Sequence, residues 1–149
     1  MRNTILLLAL LGACNLASAD GLQLQRQDGF QSYYSGTLTV SGQFQFFAED
    51  EFNHGLCFYP QGSSAAKIPR SADDERMPWF CFSNQPQAFA LLQVPSSLPA
   101  GFCSAEGSAQ LRVSQYMTDT TPSEVSDMAH LESVLQSKPT RLQPCETPD

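Results

Sequence analysis

Two short aromatic stretches predict the fold: LCFYP at residues 56–60 and PWFCF at residues 78–82. Apolar residues occupy both parities of each stretch, which is typical of strands buried on both faces. If the two strands pair antiparallel with Cys57 opposite Cys81, the same register aligns their central phenylalanines. It also brings the two flanking prolines together at one end of the ladder, where neither needs an amide hydrogen. One register therefore accommodates a disulfide, apolar cross-strand pairs and both prolines.

Four further segments complete the predicted elements. Residues 37–46 and 109–116 alternate between apolar and polar side chains, which predicts two half-buried strands. Asn84 followed by Pro86 and Gln87 predicts a short helix over 84–92. TPSE at residues 121–124 is a capping box, and the apolar spacing after it predicts a C-terminal amphipathic helix ending near residue 136.

The order of these elements predicts a mainly β fold with two short helices. It resembles the order of an oligonucleotide/oligosaccharide-binding (OB) barrel, so we expect a small OB-like barrel or a β-sandwich, stabilised by disulfides. A single β-rich domain with its C-terminal helix is expected over residues 36–137. A polar lead-in at 20–35 precedes it, and an irregular tail at 138–149 follows it.

Residues 1–19 have the pattern of an export signal. An arginine at position 2 precedes an apolar run over residues 5–11, which is too short to span a bilayer. Two cleavage sites fit. ASA at 17–19 suits ordinary signal peptidase, whereas LGAC at 11–14 resembles a bacterial lipobox that would be lipidated on Cys14. Both lead to export, so we expect either a periplasmic protein or an outer-membrane lipoprotein.

The chain has five cysteines, an odd number that Cys14 explains. Lipidation consumes Cys14 or cleavage removes it, which leaves Cys57, Cys81, Cys103 and Cys145. Four cysteines in an oxidising compartment form two disulfides with three possible connectivities. The aromatic register favours Cys57–Cys81 and therefore Cys103–Cys145. No Cys-x-x-Cys motif occurs, so structural bridges are expected rather than a redox centre.

The charge of the chain limits its partners. Fifteen acidic residues stand against eight basic ones, giving a formal net charge of −7. Such a field repels nucleic-acid phosphates, so we expect no nucleic-acid partner. A cationic protein or a neutral ligand is the expected partner, and a membrane is contacted only if Cys14 carries a lipid.

Candidate partner-binding residues fall in two acidic segments and one aromatic pair. The acidic segments suit a basic partner, although acidic loops are more often simply solvated. The aromatic pair suits a ligand face, although aromatic residues in such strands more often form core. The candidates are Glu49, Asp50, Glu51, Asp73, Asp74, Glu75, Tyr59 and Trp79.

Catalytic and metal-binding motifs are absent from the sequence. The two histidines, His54 and His130, lie far apart in the chain and have no second ligand at zinc spacing. We therefore expect no enzyme, no metal and no cofactor. The sequence favours a bacterial envelope protein that acts as a binding or inhibitor module, similar in role to immunity proteins. The alternative is a structural or assembly accessory lipoprotein of the outer membrane.

Overall fold

The computed structural model describes residues 20–123 and 125–146. Residues 1–19, with the expected export signal and Cys14, lie outside this range. The described chain is mainly β, as predicted, and it also contains a 3-10 helix at Gly62–Lys67 and a helix α1 at Gln85–Leu91. The strands are β1 Gly21–Asp28, β2 Gln31–Phe47, β3 Cys57–Pro60, β4 Phe80–Phe82, β5 Phe102–Asp119, β6 Asp127–Ser137 and β7 Arg141–Pro144.

The seven strands form one sheet in the order β1-β2-β3-β4-β6-β5-β7, and β2 pairs with β5 as well. The additional pairing completes a circuit of five strands, from β2 through β3, β4, β6 and β5 back to β2. Within the circuit β4 and β6 are parallel, and the other pairs are antiparallel. Strand β1 continues the sheet from β2, and β7 continues it from β5.

Strands β3 and β4 pair in the predicted register. Cys57 faces Cys81 and Phe58 faces Phe80. Both predicted disulfides are present, Cys57–Cys81 and Cys103–Cys145. Two disulfides indicate an oxidising environment and therefore an exported protein.

Aromatic side chains fill the interior. The largest fully buried side chains belong to five rings, Phe44, Phe58, Phe80, Phe82 and Tyr116, drawn from four strands of the circuit. The ring of Phe80 packs at 5.5 Å from that of Phe58 and at 5.5 Å from that of Tyr116. Burial of each such side chain contributes roughly 1.5–3 kcal/mol.

Both the predicted polar lead-in at 20–35 and the predicted irregular tail contain strands. Residues 20–35 contain β1 and the beginning of β2, which form a hairpin. Most side chains of β1 are exposed, so the segment has the polar composition that suggested a lead-in. The tail contains β7, which pairs with β5 and is bridged to it through Cys145. The predicted strand at 109–116 is part of the longer strand β5, Phe102–Asp119.

The predicted C-terminal helix is wrong, because Asp127–Ser137 forms β6. Asp127, Ala129 and Leu131 are buried at alternate positions, which is the period of a strand. A charged residue at the first of these positions concealed the alternation in the sequence. Strand β6 is held on both sides, by β4 and by β5, and these pairings override the local helical pattern.

Asp127 is 1% exposed, and its carboxylate is fully engaged. Arg70 donates to it at 2.6 Å, the hydroxyl of Tyr116 at 2.8 Å and the backbone N–H of Asp119 at 3.2 Å. A guanidinium nitrogen of Arg76 lies 3.7 Å away. Burial, together with the charge of Asp127, raises the pKa of Tyr116 well above its ordinary value, so this hydroxyl remains a donor. The network joins the 61–79 connection to the sheet.

Replacing Asp127 with asparagine should lower the free energy of unfolding by about 3 kcal/mol, because the largely buried Arg70 would remain beside a neutral group. Urea unfolding followed by tryptophan fluorescence measures this change. Arg141→Gln is the matched control, since it breaks an ion pair to Glu106 in which Arg141 is 72% exposed. Its cost should stay below about 1 kcal/mol. Equal losses in the two variants would contradict the assignment of Asp127 as a buried anchor.

Candidate functional site

The structure gathers several of the predicted partner-binding residues around one cleft of about 140 Å³, here called the aromatic cleft. Strand β2, the 48–56 loop, strand β3 and the residue before β4 contribute to it. Its lining residues are Gln45, Phe47, Asp50, His54, Gly55, Cys57, Tyr59 and Trp79.

The floor of the cleft is a stacked aromatic pair. The rings of Tyr59 and Trp79 lie 5.7 Å apart with an interplanar angle of 5°. The His54 ring meets Trp79 edge-on at 5.4 Å, and the Phe52 ring lies 5.6 Å from His54. Successive side chains of a strand point to opposite faces, so the inward placement of Phe58 turns Tyr59 outward. Tyr59 and Trp79 are therefore half-buried surface rings, whereas their neighbours form the core.

Asp50 supplies a negative charge at the edge of the aromatic pair. Its carboxylate accepts the backbone N–H of Phe52 at 3.0 Å and that of His54 at 2.6 Å, and His54 Nδ1 lies 3.3 Å away. Partial burial raises the pKa of Asp50, but these backbone hydrogen bonds and the nearby His54 outweigh it, so the pKa is lowered overall. Burial first, and then the charge of Asp50, raise the pKa of Tyr59. The negative charge of Asp50 therefore acts on the hydroxyl group of Tyr59 in the cleft.

Gln85, at the start of α1, holds the loop that carries His54. Its side-chain oxygen accepts the N–H of Leu56 at 2.8 Å, and its nitrogen donates to the carbonyls of Leu56 at 3.0 Å and Phe82 at 2.9 Å. A Cβ on Gly55 would lie 2.6 Å from this oxygen, and Gly55 has a positive φ of 76°. Sequence reasoning missed Gln85, because nothing in a helix start indicates a long-range backbone contact.

The two acidic segments have different surroundings. Glu49 and Glu51 are exposed on either side of Asp50 at the aromatic cleft. Asp73, Asp74 and Glu75 line a separate depression of about 610 Å³, together with Ser71, Arg76 and Thr120.

Within the second segment, the carboxylate of Asp74 is bound by two arginine side chains of the same connection. It accepts two hydrogen bonds from the Arg76 guanidinium, both at 2.8 Å, and lies 3.5 Å from Arg70. The side-chain hydrogen bonds from Arg76 outweigh partial burial and lower the pKa of Asp74 to about 2. Only Asp73 and Glu75 of this segment are exposed to a partner.

The two acidic segments lie at opposite ends of β2. The 48–56 loop follows Phe47, the last residue of that strand. The other depression includes Thr120, whose backbone N–H donates to the carbonyl of Phe30, just before β2 begins. The two acidic segments therefore border separate depressions, although Glu75 precedes Trp79 by only four residues in the chain.

Residues 20–123 and 125–146 hold no group of three or more histidine, cysteine or acidic side chains placed to bind a metal ion. His130 Nε2 lies 3.4 Å from the Asn84 amide nitrogen. Over the same residues, no helix has the length and apolar character needed to cross a membrane.

Comparisons with known proteins returned no matching protein-family model, curated protein or solved structure. The interpretation of the site therefore depends on its residues and their geometry.

Replacing Gln85 with alanine should lower the free energy of unfolding by about 2–3 kcal/mol, because the buried N–H of Leu56 would lose its partner. Gln87→Ala removes the same side chain from an exposed position of α1 and is the control. Its effect should be within about 0.5 kcal/mol. Urea unfolding of both variants measures the difference. Identical stabilities would show that Gln85 does not hold the loop.

The lowered pKa of Asp74 predicts a defined pH dependence. Because the folded pKa of about 2 lies below the ordinary value of 3.8, the ion pair with Arg76 stabilises the fold above about pH 4. Stability is lost as the pH falls through about 2. Asp74→Asn should therefore cost about 2 kcal/mol at pH 7 and much less at pH 2. Asp73→Asn, at the exposed neighbouring position, is the control. A pH-independent loss in Asp74→Asn would contradict this account.

Proposed function

We propose that this protein is an exported binding or inhibitor module for a cationic protein of the bacterial envelope, and that the aromatic cleft is the centre of its interface. The observation that carries the proposal is the ionised Asp50 beside the stacked, half-exposed Tyr59–Trp79 pair. Aromatic rings of this kind supply much of the energy of protein interfaces. Glu49 and Glu51 add exposed charge around them.

The arrangement of the sheet supports this placement. We propose that the five-strand circuit is an OB-like barrel, because the helix between β4 and β5 and the parallel pair β4–β6 fit that topology. OB barrels bind their ligands on the face of the second and third strands and on the loop after the first strand. Strands β3 and β4 and the 48–56 loop are the corresponding parts of this chain. The aromatic cleft is lined by residues of β3, of the 48–56 loop and by Trp79 directly before β4.

Charge supports a basic partner. The chain carries a net charge of −7, which would attract a cationic protein over a distance of about one Debye length. The exposed Glu49 and Glu51 would act in this steering, whereas Asp50 and the rings would act after contact. Asp73 and Glu75, which line a separate depression, would add to the same attractive field.

Export would bring this protein into the compartment where a partner of the bacterial envelope is found. We propose that residues 1–19 direct the chain to the periplasm, either as a soluble protein or as an outer-membrane lipoprotein anchored through Cys14. The two disulfides support the oxidising compartment in both cases.

A capture experiment tests the function. The immobilised mature protein should retain a basic protein from an envelope extract of the source organism in low salt. Retention should fall sharply at about 1 M salt, where the Debye length is about 3 Å. The captured protein is identified, purified and measured again by calorimetry, and an inhibitor also lowers its activity.

The matched variants decide whether the aromatic cleft is the interface. Trp79→Ala should weaken binding of the purified partner by about tenfold or more, as at an interface hot spot. Asp28→Asn changes an exposed acid at the end of β1 and should leave binding unchanged. Equal affinity of the two variants would contradict the proposed interface. Recovery of the chain with a large outer-membrane complex, insensitive to Trp79→Ala, would instead support the accessory lipoprotein.

A further inference from the structure

We infer that the aromatic cleft binds one arginine side chain of the partner, with the guanidinium group against the Tyr59–Trp79 pair and directed to Asp50. This inference rests on the proposed function and names the chemical group that the site recognises. Three properties of the cleft carry it: its size, its aromatic faces and its charge.

The size of the cleft limits its occupant. Sites for drug-sized ligands and cofactors have volumes of about 300–1,000 Å³. The aromatic cleft has about 140 Å³, and Tyr59 and Trp79, which line it, are partly exposed to solvent. It suits the end of one side chain and is too small to enclose a cofactor or an oligosaccharide.

The aromatic faces favour a cation that is flat. A cation within about 6 Å of a ring centroid is attracted to the face of the ring, most strongly to tryptophan. Guanidinium is planar and weakly hydrated, so it stacks on such a face with a smaller loss of solvation than an ammonium group. The chain already contains this pairing elsewhere, since the Arg26 guanidinium carbon lies 4.1 Å from the centroid of the Tyr33 ring.

The charge of the cleft supplies the directional contact. The Asp50 carboxylate is ionised, and its side chain is 19% exposed. The backbone N–H groups of Phe52 and His54 and the His54 ring fix its orientation. A carboxylate offers about four acceptor positions, so capacity remains for a further N–H donor. An arginine against the Tyr59–Trp79 pair therefore finds a preoriented anion in the lining of the same cleft.

Nucleotides and neutral sugars also stack on aromatic rings, but they complement the negative charge of the cleft less well than a guanidinium group does. A nucleotide brings phosphate charge toward Asp50, Glu49 and Glu51, which repel it. A neutral sugar uses the ring faces but gains nothing from the ionised carboxylate. The difference between a charged and a neutral ligand of the same shape is therefore the decisive measurement.

Trp79 is the single tryptophan of the chain, so its fluorescence reports on the cleft directly. The probes are two blocked tripeptides, acetyl-Gly-Arg-Gly-amide and its citrulline analogue, in which a neutral urea group replaces guanidinium. The arginine peptide should give a saturable change with a dissociation constant at least about tenfold below that of the citrulline peptide. The lysine peptide should bind more weakly than the arginine peptide. N-acetylglucosamine should give no saturable change.

Variants assign the effect to the cleft. Asp50→Asn should weaken the arginine peptide by about fivefold or more and leave the citrulline peptide nearly unchanged. Tyr59→Leu keeps an apolar side chain but removes one ring face, and it should weaken both peptides. Asp28→Asn removes the same charge from a remote position and should change neither. Because the two peptides are compared first on the unaltered protein, a variant that folds poorly does not prevent a decision.

The inference is overturned if both peptides bind equally, if neither peptide binds, or if the sugar alone changes the fluorescence. Its failure is distinct from that of the proposed function, since the peptides are tested without the partner. Cleft-dependent capture of a basic protein, with no preference for arginine over citrulline, would retain the function and reject the arginine site. A clear preference for arginine, with no basic protein captured, would retain the site and reject the function.

Discussion

The pairing of β3 with β4, bridged by Cys57–Cys81, is the constraint on which the core and the candidate site both depend. Side chains alternate across a strand, so a slip of one residue would exchange the inner and outer faces. The observed register turns Phe58 and Phe80 into the core and leaves Tyr59 stacked on Trp79 outside it. The stability of the fold and the exposure of the aromatic pair therefore follow from the same ladder.

Acidic side chains of this protein serve two separate purposes. Asp127 of β6 accepts a hydrogen bond from Arg70 and so attaches the long 61–79 connection to the sheet, whereas Asp74 binds Arg70 and Arg76 within that connection. Asp50 is also held by hydrogen bonds, but its donors come from its own loop and leave it at the edge of the aromatic cleft. A negative net charge alone does not distinguish these cases. The distinction depends on whether an arginine lies within reach of each carboxylate.

A residue can mark the start of an element correctly and still have a different role from the one that its local pattern predicts. Asn84 marks the beginning of α1, as expected, yet no side-chain cap bond forms there. Its amide instead pairs with the backbone of Leu131, at 2.8 Å to the N–H and 3.0 Å to the carbonyl. The capping box at 121–124 predicted a helix that is absent. Both segments adjoin β6, whose position between β4 and β5 fixes hydrogen bonds that local propensity does not contain.

The sequence by itself predicted the short helix α1 and the β-rich character, because these depend on local patterns, and it predicted the β3–β4 register and both disulfides, because four cysteines and two proline-flanked aromatic strands leave few ways to pair. Only the tertiary structure decided that Asp127 is buried, that residues 127–137 form a strand, and that Gln85 holds the loop around His54. The bond between Gln85 and Leu56 joins residues 29 positions apart, and that between Arg70 and Asp127 joins residues 57 positions apart. A local pattern carries no information about which distant group will neutralise a charge or accept a hydrogen bond.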